Sequence, residues 1–280
     1  MYTVIGLGSA GHKVIMSFLE YPQYNGYTVD CEMPEESRTI FVEIPEFSHP
    51  EEYEKGTPDL SKRFNNLGDT CLFVVCGASM VSGATLRVLE AIHKKSKVSV
   101  LYMKPDVSIL SEMRKLQENL VYNVLQEYSR SGLLEDFYVV EDTLIDEMIG
   151  GAPILGYFEH INRAMVSTIH MFNVFNNQKK IIGTFSDPDP SASIATFGVL
   201  NTETGEEKPY FNLDNIREKT YYYAIPEKDL KTDKKLLSQI REQIKSKPQG
   251  EDVRLSYGVF PTQYDEKYAY FISRSSNIQK

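Results

Sequence analysis

The chain has 280 residues, of which 41% are hydrophobic and 25% charged. This ordinary globular composition excludes disordered and fibrous classes, and the length suits one large domain or two small ones. Its 30 Lys and Arg are outnumbered by 39 Asp and Glu, for a net charge of −9, and such a field argues against a general nucleic-acid or anionic-membrane surface.

Cys31, Cys71 and Cys76 show no CxxC spacing, and two of them sit in apolar, strand-like runs. Free thiols in a reducing compartment are expected, not a disulfide framework. The longest apolar-leaning stretch, 71–81, is far shorter than the roughly 20 residues that span a bilayer. MYTVIGLG has no basic region ahead of an apolar run, so no signal peptide is expected and the chain is read as cytoplasmic.

Residues 2–7 form a β-rich run, and a helical pattern follows over 11–21. Strands are expected at 27–31 and 39–44. The acidic stretch 45–60, with Pro45, Pro50 and Pro58, reads as a loop with one helical turn. A strand at 70–76, a helix at 82–95, a strand at 98–103, an amphipathic helix at 107–129 and a strand at 137–140 continue the alternation. Strands alternating with helices, several apolar on both faces, indicate a parallel sheet covered on both sides.

Over 154–176 the pattern is a long helix, apolar nearly all round, with Phe158, Ile161, Met165, Ile169 and Phe172 on one face. A short strand at 181–182 and the turn-rich SDPDPS of 186–191 follow. Strands at 192–200, 221–225, 254–261 and 268–274 then surround one charged helix at 233–245, without βαβ alternation. The expected class is α/β. A Rossmann-like parallel-sheet nucleotide domain covers 1–153, a central helix 154–178, and a smaller mixed α+β domain 179–280.

Gly6-Leu7-Gly8-Ser9-Ala10-Gly11 follows a strand and opens a helix. Glycines there let a phosphate approach the backbone, and a helix N-terminus supplies free N–H groups and a positive dipole end. Asp30 falls where a dinucleotide fold places its ribose-binding acid. The plainer alternative is a tight turn whose glycines serve helix–strand packing. A second glycine and serine loop, Gly77-Ala78-Ser79-Met80-Val81-Ser82-Gly83-Ala84, lies between a buried strand and a helix. Lys104-Pro105-Asp106 follows the next strand, Glu141-Asp142 the one after, and Phe158 and Asn162 lie four apart in the long helix.

This order of motifs resembles the tubulin/FtsZ family over almost the whole chain. Gly8, Ser9, Ala10, Gly11 and His12 are similar to the family's first phosphate loop, with histidine where asparagine is usual. Gly77, Ala78, Ser79, Ser82 and Gly83 correspond to its glycine-rich signature loop, and Pro105 to the family's "KP". Phe158 and Asn162 match the pair that stacks on and hydrogen-bonds guanine, and Glu141 or Asp142 stands where an asparagine often holds the base. Asp187 and Asp189 resemble the acidic loop that enters the neighbouring subunit's site and promotes hydrolysis. The resemblance implies GTP or GDP with Mg²⁺ as ligands, and head-to-tail self-assembly into filaments. It also implies GTPase activity residing in the assembled state.

The departures are specific. Met80 and Val81 replace a threonine and a central glycine of the signature loop, crowding a triphosphate, and Pro188 and Pro190 break the acidic loop. They imply weak or lost hydrolysis. Two other readings stand beside this one: a nucleotide-free scaffold of the same fold, and a Rossmann-type NAD-dependent enzyme, for which Asp30 would matter. Plainer roles also exist for each residue. Asp187 and Asp189 suit an Asp-Pro turn, Phe158 suits a core, His12 suits a helix-start hydrogen bond, and Glu112 and Arg114 suit a solvated helix face. The histidines show no metal spacing, and Cys76 has no base partner that would make it a nucleophile.

Overall fold

The computed structural model describes residues 2–35, 37–247 and 253–280. The backbone divides into two compact units, one up to Val166 and one from Ser167 to Gln279.

In the first unit β1 (Tyr2–Leu7) runs into α1 (Gly8–Phe18), followed by β2 (Tyr24–Asp30), β3 (Ile40–Glu43) and α2 (Pro50–Gly56). Next come β4 (Thr70–Cys76), a 3₁₀ turn (Met80–Ala84), α3 (Thr85–Ile92) and β5 (Lys97–Lys104). A second 3₁₀ turn (Val107–Ile109), α4 (Glu112–Arg130), β6 (Phe137–Glu141), α5 (Asp142–Ile149) and the start of α6 (Tyr157–Asn177) complete it. All strand pairs are parallel, in the order β3-β2-β1-β4-β5-β6. That order is also the one used by dinucleotide-binding folds. Val4, Ile5, Phe73, Val74, Val100 and Leu101 are fully buried, because crossover helices cover both faces of a parallel sheet.

Several elements depart from the sequence expectation, each for a local reason. α1 starts at Gly8, not at residue 11, because Gly8 adopts φ +72° and turns the chain directly from β1 into the helix. In the stretch read as loop, α2 forms a helix with Pro50 in its first turn, and Glu52 accepts the backbone N–H groups of Ser48 and His49 at 3.1 and 3.2 Å. The helix expected at 107–129 is split. Asp106 accepts the Ser108 N–H and hydroxyl at 2.9 and 2.6 Å, winding 107–109 into a 3₁₀ turn before α4 begins. The unexpected α5 is only eight residues long and follows β6 without a linking loop, and it ends on Gly150 in the left-handed conformation.

The second unit holds the rest of α6, then β7 (Ile182–Gly183), β8 (Ile194–Leu200), β9 (Glu207–Pro209) and β10 (Ile216–Pro226). It continues with α7 (Glu227–Thr232), α8 (Leu236–Lys245), β11 (Arg254–Thr262) and β12 (Tyr268–Ser275). Its sheet order is β8-β12-β10-β11-β7, with β9 beside β8, and among the described residues of this unit only β10 and β11 pair in parallel. This is the mixed α+β pattern expected.

Alternation along β10 builds two cores. Tyr221, Tyr223 and Ile225 face Leu236, Ile240 and Ile244 of α8, whose i, i+4, i+8 spacing gives one apolar stripe on an otherwise charged helix. Tyr222 packs with Phe172 and Phe175 of α6 at 4.9 and 5.5 Å between ring centroids, and with Phe185 at 4.8 Å. All three cysteines are free. Burial pushes the Cys71 and Cys76 thiols up to about 11, and also raises Cys31, which contacts the Tyr53 hydroxyl at 3.4 Å.

Candidate functional site

A cavity of about 670 Å³ opens in the first unit at the carboxyl ends of β1, β4, β5 and β6, the place where open parallel sheets bind ligands. Ser9, Ala10 and Lys13 reach it from α1, Cys76 from the end of β4, and Met103 to Val107 from the end of β5 and the segment after it. Glu141, Asp142 and Thr143 enter from the β6–α5 junction, and Tyr157, Phe158 and Asn162 from α6.

One end of the cavity suits an anion. Helix geometry leaves the N–H groups of Gly8, Ser9 and Ala10 without partners inside α1, and no acidic side chain occupies that first turn. The N–H groups of Gly11 and His12 belong to the helix ladder. Gly11 instead packs against β1: a Cβ there would lie 2.9 Å from Gly6 Cα and 3.3 Å from the Val74 carbonyl oxygen. The buried His12 side chain is engaged across the sheet, with Nδ1 2.9 Å from Thr28 Oγ1. Desolvation holds its pKa below the usual imidazole value, and the helix-start hydrogen bond expected for it is replaced by this contact.

The other end suits a flat, polar-edged group. Phe158, 54% exposed in the first turn of α6, stands edge-to-face with Tyr157 at 5.3 Å. One turn later Asn162 is 3% exposed, and its Oδ1 is buried without a hydrogen-bond partner. Asp142 Oδ1 is in the same condition. Burial, with the Glu141 charge adding to it, pushes the Asp142 carboxyl up to about 6, and burial also raises Glu141. Two orphaned acceptors on one cavity wall call for a ligand that donates. Lys104 is largely committed elsewhere. Its ammonium sits 3.9 Å from the Tyr122 ring centroid and 3.4 Å from Glu118 Oε1, a fully buried carboxylate that also accepts from the Tyr102 hydroxyl at 3.2 Å.

Because a raised carboxyl pKa is a cost borne by the ionised form, Asp142→Asn is expected to stabilise the protein at neutral pH by about 3 kcal/mol. The gain is complete above pH 6 and shrinks as pH falls from about 6 towards the unfolded value near 4, where the wild-type carboxyl takes up its proton in both states. Urea melts at pH 7.5 and 4 check this; an equal gain at both would show that Asp142 is not the titrating cause.

The second loop does not line the cavity. Val81 lies on Gly8, where a Cβ would meet its Cγ2 at 2.6 Å. Ser82 is buried with its hydroxyl 2.7 Å from the Gly77 carbonyl and accepts from Gln117 at 3.1 Å. Gly77 lies beneath the Tyr102 hydroxyl, and Gly83 packs on the Pro50 carbonyl of α2. None of Gly77, Ala78, Ser79, Ser82 and Gly83 belongs to the cavity wall. The loop is a short 3₁₀ turn filled by its own side chains. Ser9, Ala10, Pro105, Glu141, Phe158 and Asn162 do come together. Lys13, one turn after Ser9, and Tyr157 escaped the sequence reading; their spacing from Ser9 and beside Phe158 was the available signal. Asp30 accepts the Cys31 N–H at 2.8 Å and stands outside the cavity wall, as do Glu112 and Arg114, Glu112 pairing instead with Lys115.

Asp187 and Asp189 lie in the second unit, on the rim of a polar cavity of about 580 Å³ with Arg217, Glu218 and Arg254. Asp189 Oδ1 accepts the Ser191 N–H and hydroxyl at 2.9 and 2.8 Å, bonds that hold its carboxyl below the usual value.

No family model matches the chain, and no curated protein matches it in sequence. Solved structures do match over its length. A TubZ protofilament of Bacillus thuringiensis serovar israelensis in its GTPγS form superposes with a TM-score of 0.71 at 15% identity, covering 98% of this chain and 86% of that one. A TubZ-Bt four-stranded filament gives 0.72 at 16% identity, with coverage of 98% and 85%. An empty FtsZ dimer from M. jannaschii gives 0.66 at 11%, with 98% and 88%. These superpositions agree on one architecture: the chain has the fold of the tubulin/FtsZ family.

Proposed function

We propose that the chain is a divergent tubulin/FtsZ-type cytoskeletal protein that binds a guanine nucleotide in the first unit's cavity and assembles head to tail into filaments. The observation that carries this reading is the meeting of Phe158, the orphaned Asn162 Oδ1 and the open N-terminus of α1 around one cavity. The aromatic face would take the purine and the two orphaned oxygens its N–H edge. Gly8, Ser9 and Ala10 would hold phosphate with backbone N–H groups. Among the described residues no three His, Cys, Asp or Glu side chains gather as a metal-ligand set. A Mg²⁺ accompanying the nucleotide would therefore take its ligands mainly from phosphate oxygens and water. Asp187 or Asp189 would orient the water that attacks the next copy's nucleotide, so hydrolysis would need two chains. Heterologous contacts of that kind propagate into open polymers. Among the described residues no helix is long and apolar enough to cross a membrane, and three free thiols suit the reducing cytoplasm.

The closed second loop supports a competing reading, a scaffold of the same fold that assembles without nucleotide. Binding of GTP, GDP, ATP and NAD to the purified chain, with high-speed pelleting with and without GTP, separates the two. The expected result is selective guanine-nucleotide binding and GTP-dependent pelleting. Pelleting with no nucleotide affinity would establish the scaffold, and tight NAD binding would overturn both.

A further inference from the structure

The acidic loop is anchored by a pair of residues that the proposed hydrolysis does not itself require. Glu218 of β10 is a charged side chain only 2% exposed. Its Oε2 accepts from Arg254 Nη2 at 2.6 Å and from the backbone N–H of Asp189 at 3.3 Å. The same Arg254 nitrogen donates to the backbone carbonyl of Asp187 at 2.9 Å. The pair thus touches the loop twice, on the main chain of both acids.

The anchoring is built into the sheet. β10 and β11 run in parallel with Glu218 and Arg254 as register partners, and Arg274 of β12 is the register partner on the other side. A buried carboxylate persists only when paired and hydrogen-bonded. Glu218 meets that condition through Arg254 and the Asp189 amide on Oε2 and the Thr220 hydroxyl on Oε1 at 3.4 Å, so sheet and loop are joined at this carboxylate. Pro188 and Pro190 restrict φ on either side of Asp189. With the interior of the loop stiffened, its placement is decided where Asp187 and Asp189 are tethered.

We infer that Glu218 and Arg254 are positioning residues, a clamp that fixes the backbone carrying Asp187 and Asp189 in the geometry in which the loop serves a neighbouring copy of this chain. The inference rests on the reading that these acids act on that neighbour's nucleotide. Misplacing a reacting group by about 1 Å costs roughly 100-fold in rate, which is the effect a loosened clamp would have.

The test uses the full chain with GTP and the variants Glu218→Gln, Arg254→Lys, their combination, and each placed on Asp187→Ala/Asp189→Ala. Backbone amide exchange at Asp189, GTP affinity and hydrolysis at assembling concentrations are measured. Glu218→Gln and Arg254→Lys are expected to speed exchange at the Asp189 amide, to leave GTP affinity unchanged, and to slow hydrolysis by about 100-fold. The double variant is expected to be no slower than either single one, because the two side chains act as one unit. On the Asp187→Ala/Asp189→Ala background neither change should slow hydrolysis further. Wild-type exchange and hydrolysis in a folded Glu218→Gln protein would overturn the clamp, as would a further loss on the double-alanine background. If Glu218→Gln does not fold, Arg254→Lys, altered at a half-exposed side chain, carries the same expectations. Wild-type hydrolysis in Asp187→Ala/Asp189→Ala, or none in the wild type, would overturn the catalytic reading and the clamp's purpose with it, while the exchange result would still report whether the tether exists.

Discussion

Phe158→Ala combined with Asn162→Ala is expected to weaken guanine-nucleotide binding by about 100-fold with little change in thermal stability. Base–aromatic stacking is worth roughly 1–3 kcal/mol per base, and a hydrogen bond to a buried amide about 1 kcal/mol. Together these reach the approximately 2.7 kcal/mol that a 100-fold change represents. Stability should hold because Phe158 is half exposed and the Asn162 oxygen has no partner in the protein to lose. Calorimetric titration with GDP, beside a melt of the unliganded variant, checks both halves. Unchanged affinity would remove the base-binding role from this wall of the cavity, and a collapse in melting temperature would return both residues to the core.

Gly11→Ala is expected to cost about 3 kcal/mol or more of folding stability. The new Cβ would stand 2.9 Å from both Cα and C of Gly6. These are backbone atoms of a central strand, and no rotamer change relieves the overlap. A Cβ on Gly6 meets the same problem from the other side, 2.5 Å from Gly11 C and 2.6 Å from its oxygen. Helix and strand therefore touch through two glycines, the close packing that a glycine-rich βα turn permits. Urea unfolding of the variant measures the cost. If alanine left stability intact and lowered nucleotide affinity instead, Gly11 would be a phosphate contact, as its motif first suggests.

These two cases mark what the sequence could and could not reveal. β4 and β5 were legible because strands buried on both faces must be apolar almost throughout, as in Cys71-Leu72-Phe73-Val74-Val75. The second unit's mixed character was legible from the loss of strand–helix alternation. α5 was not, since its apolar period, Leu144, Ile145, Met148 and Ile149, runs for only eight residues directly after β6, too short to stand apart from the strand signal. The motif order brought Ser9, Pro105 and Asn162 forward as neighbours across long stretches of chain. It said nothing of where side chains turn. Ser82 looks like a phosphate ligand in the sequence, yet its hydroxyl faces the Gly77 carbonyl 2.7 Å away. His12 likewise turns to Thr28. Tertiary packing decided those orientations, through Val81 seated on Gly8 and Gly83 seated on α2.

The state of the thiols has a practical consequence for following assembly. Thiolate is the form that alkylating dyes attack. At pH 7.5 a fully exposed cysteine, with a pKa near 8.5, carries a few hundred times more thiolate than Cys71 or Cys76 at about 11. Burial raises Cys31 as well. A single cysteine introduced on an exposed loop should therefore take a maleimide fluorophore well ahead of Cys71 and Cys76, so a labelled protein can be made with both of these in place.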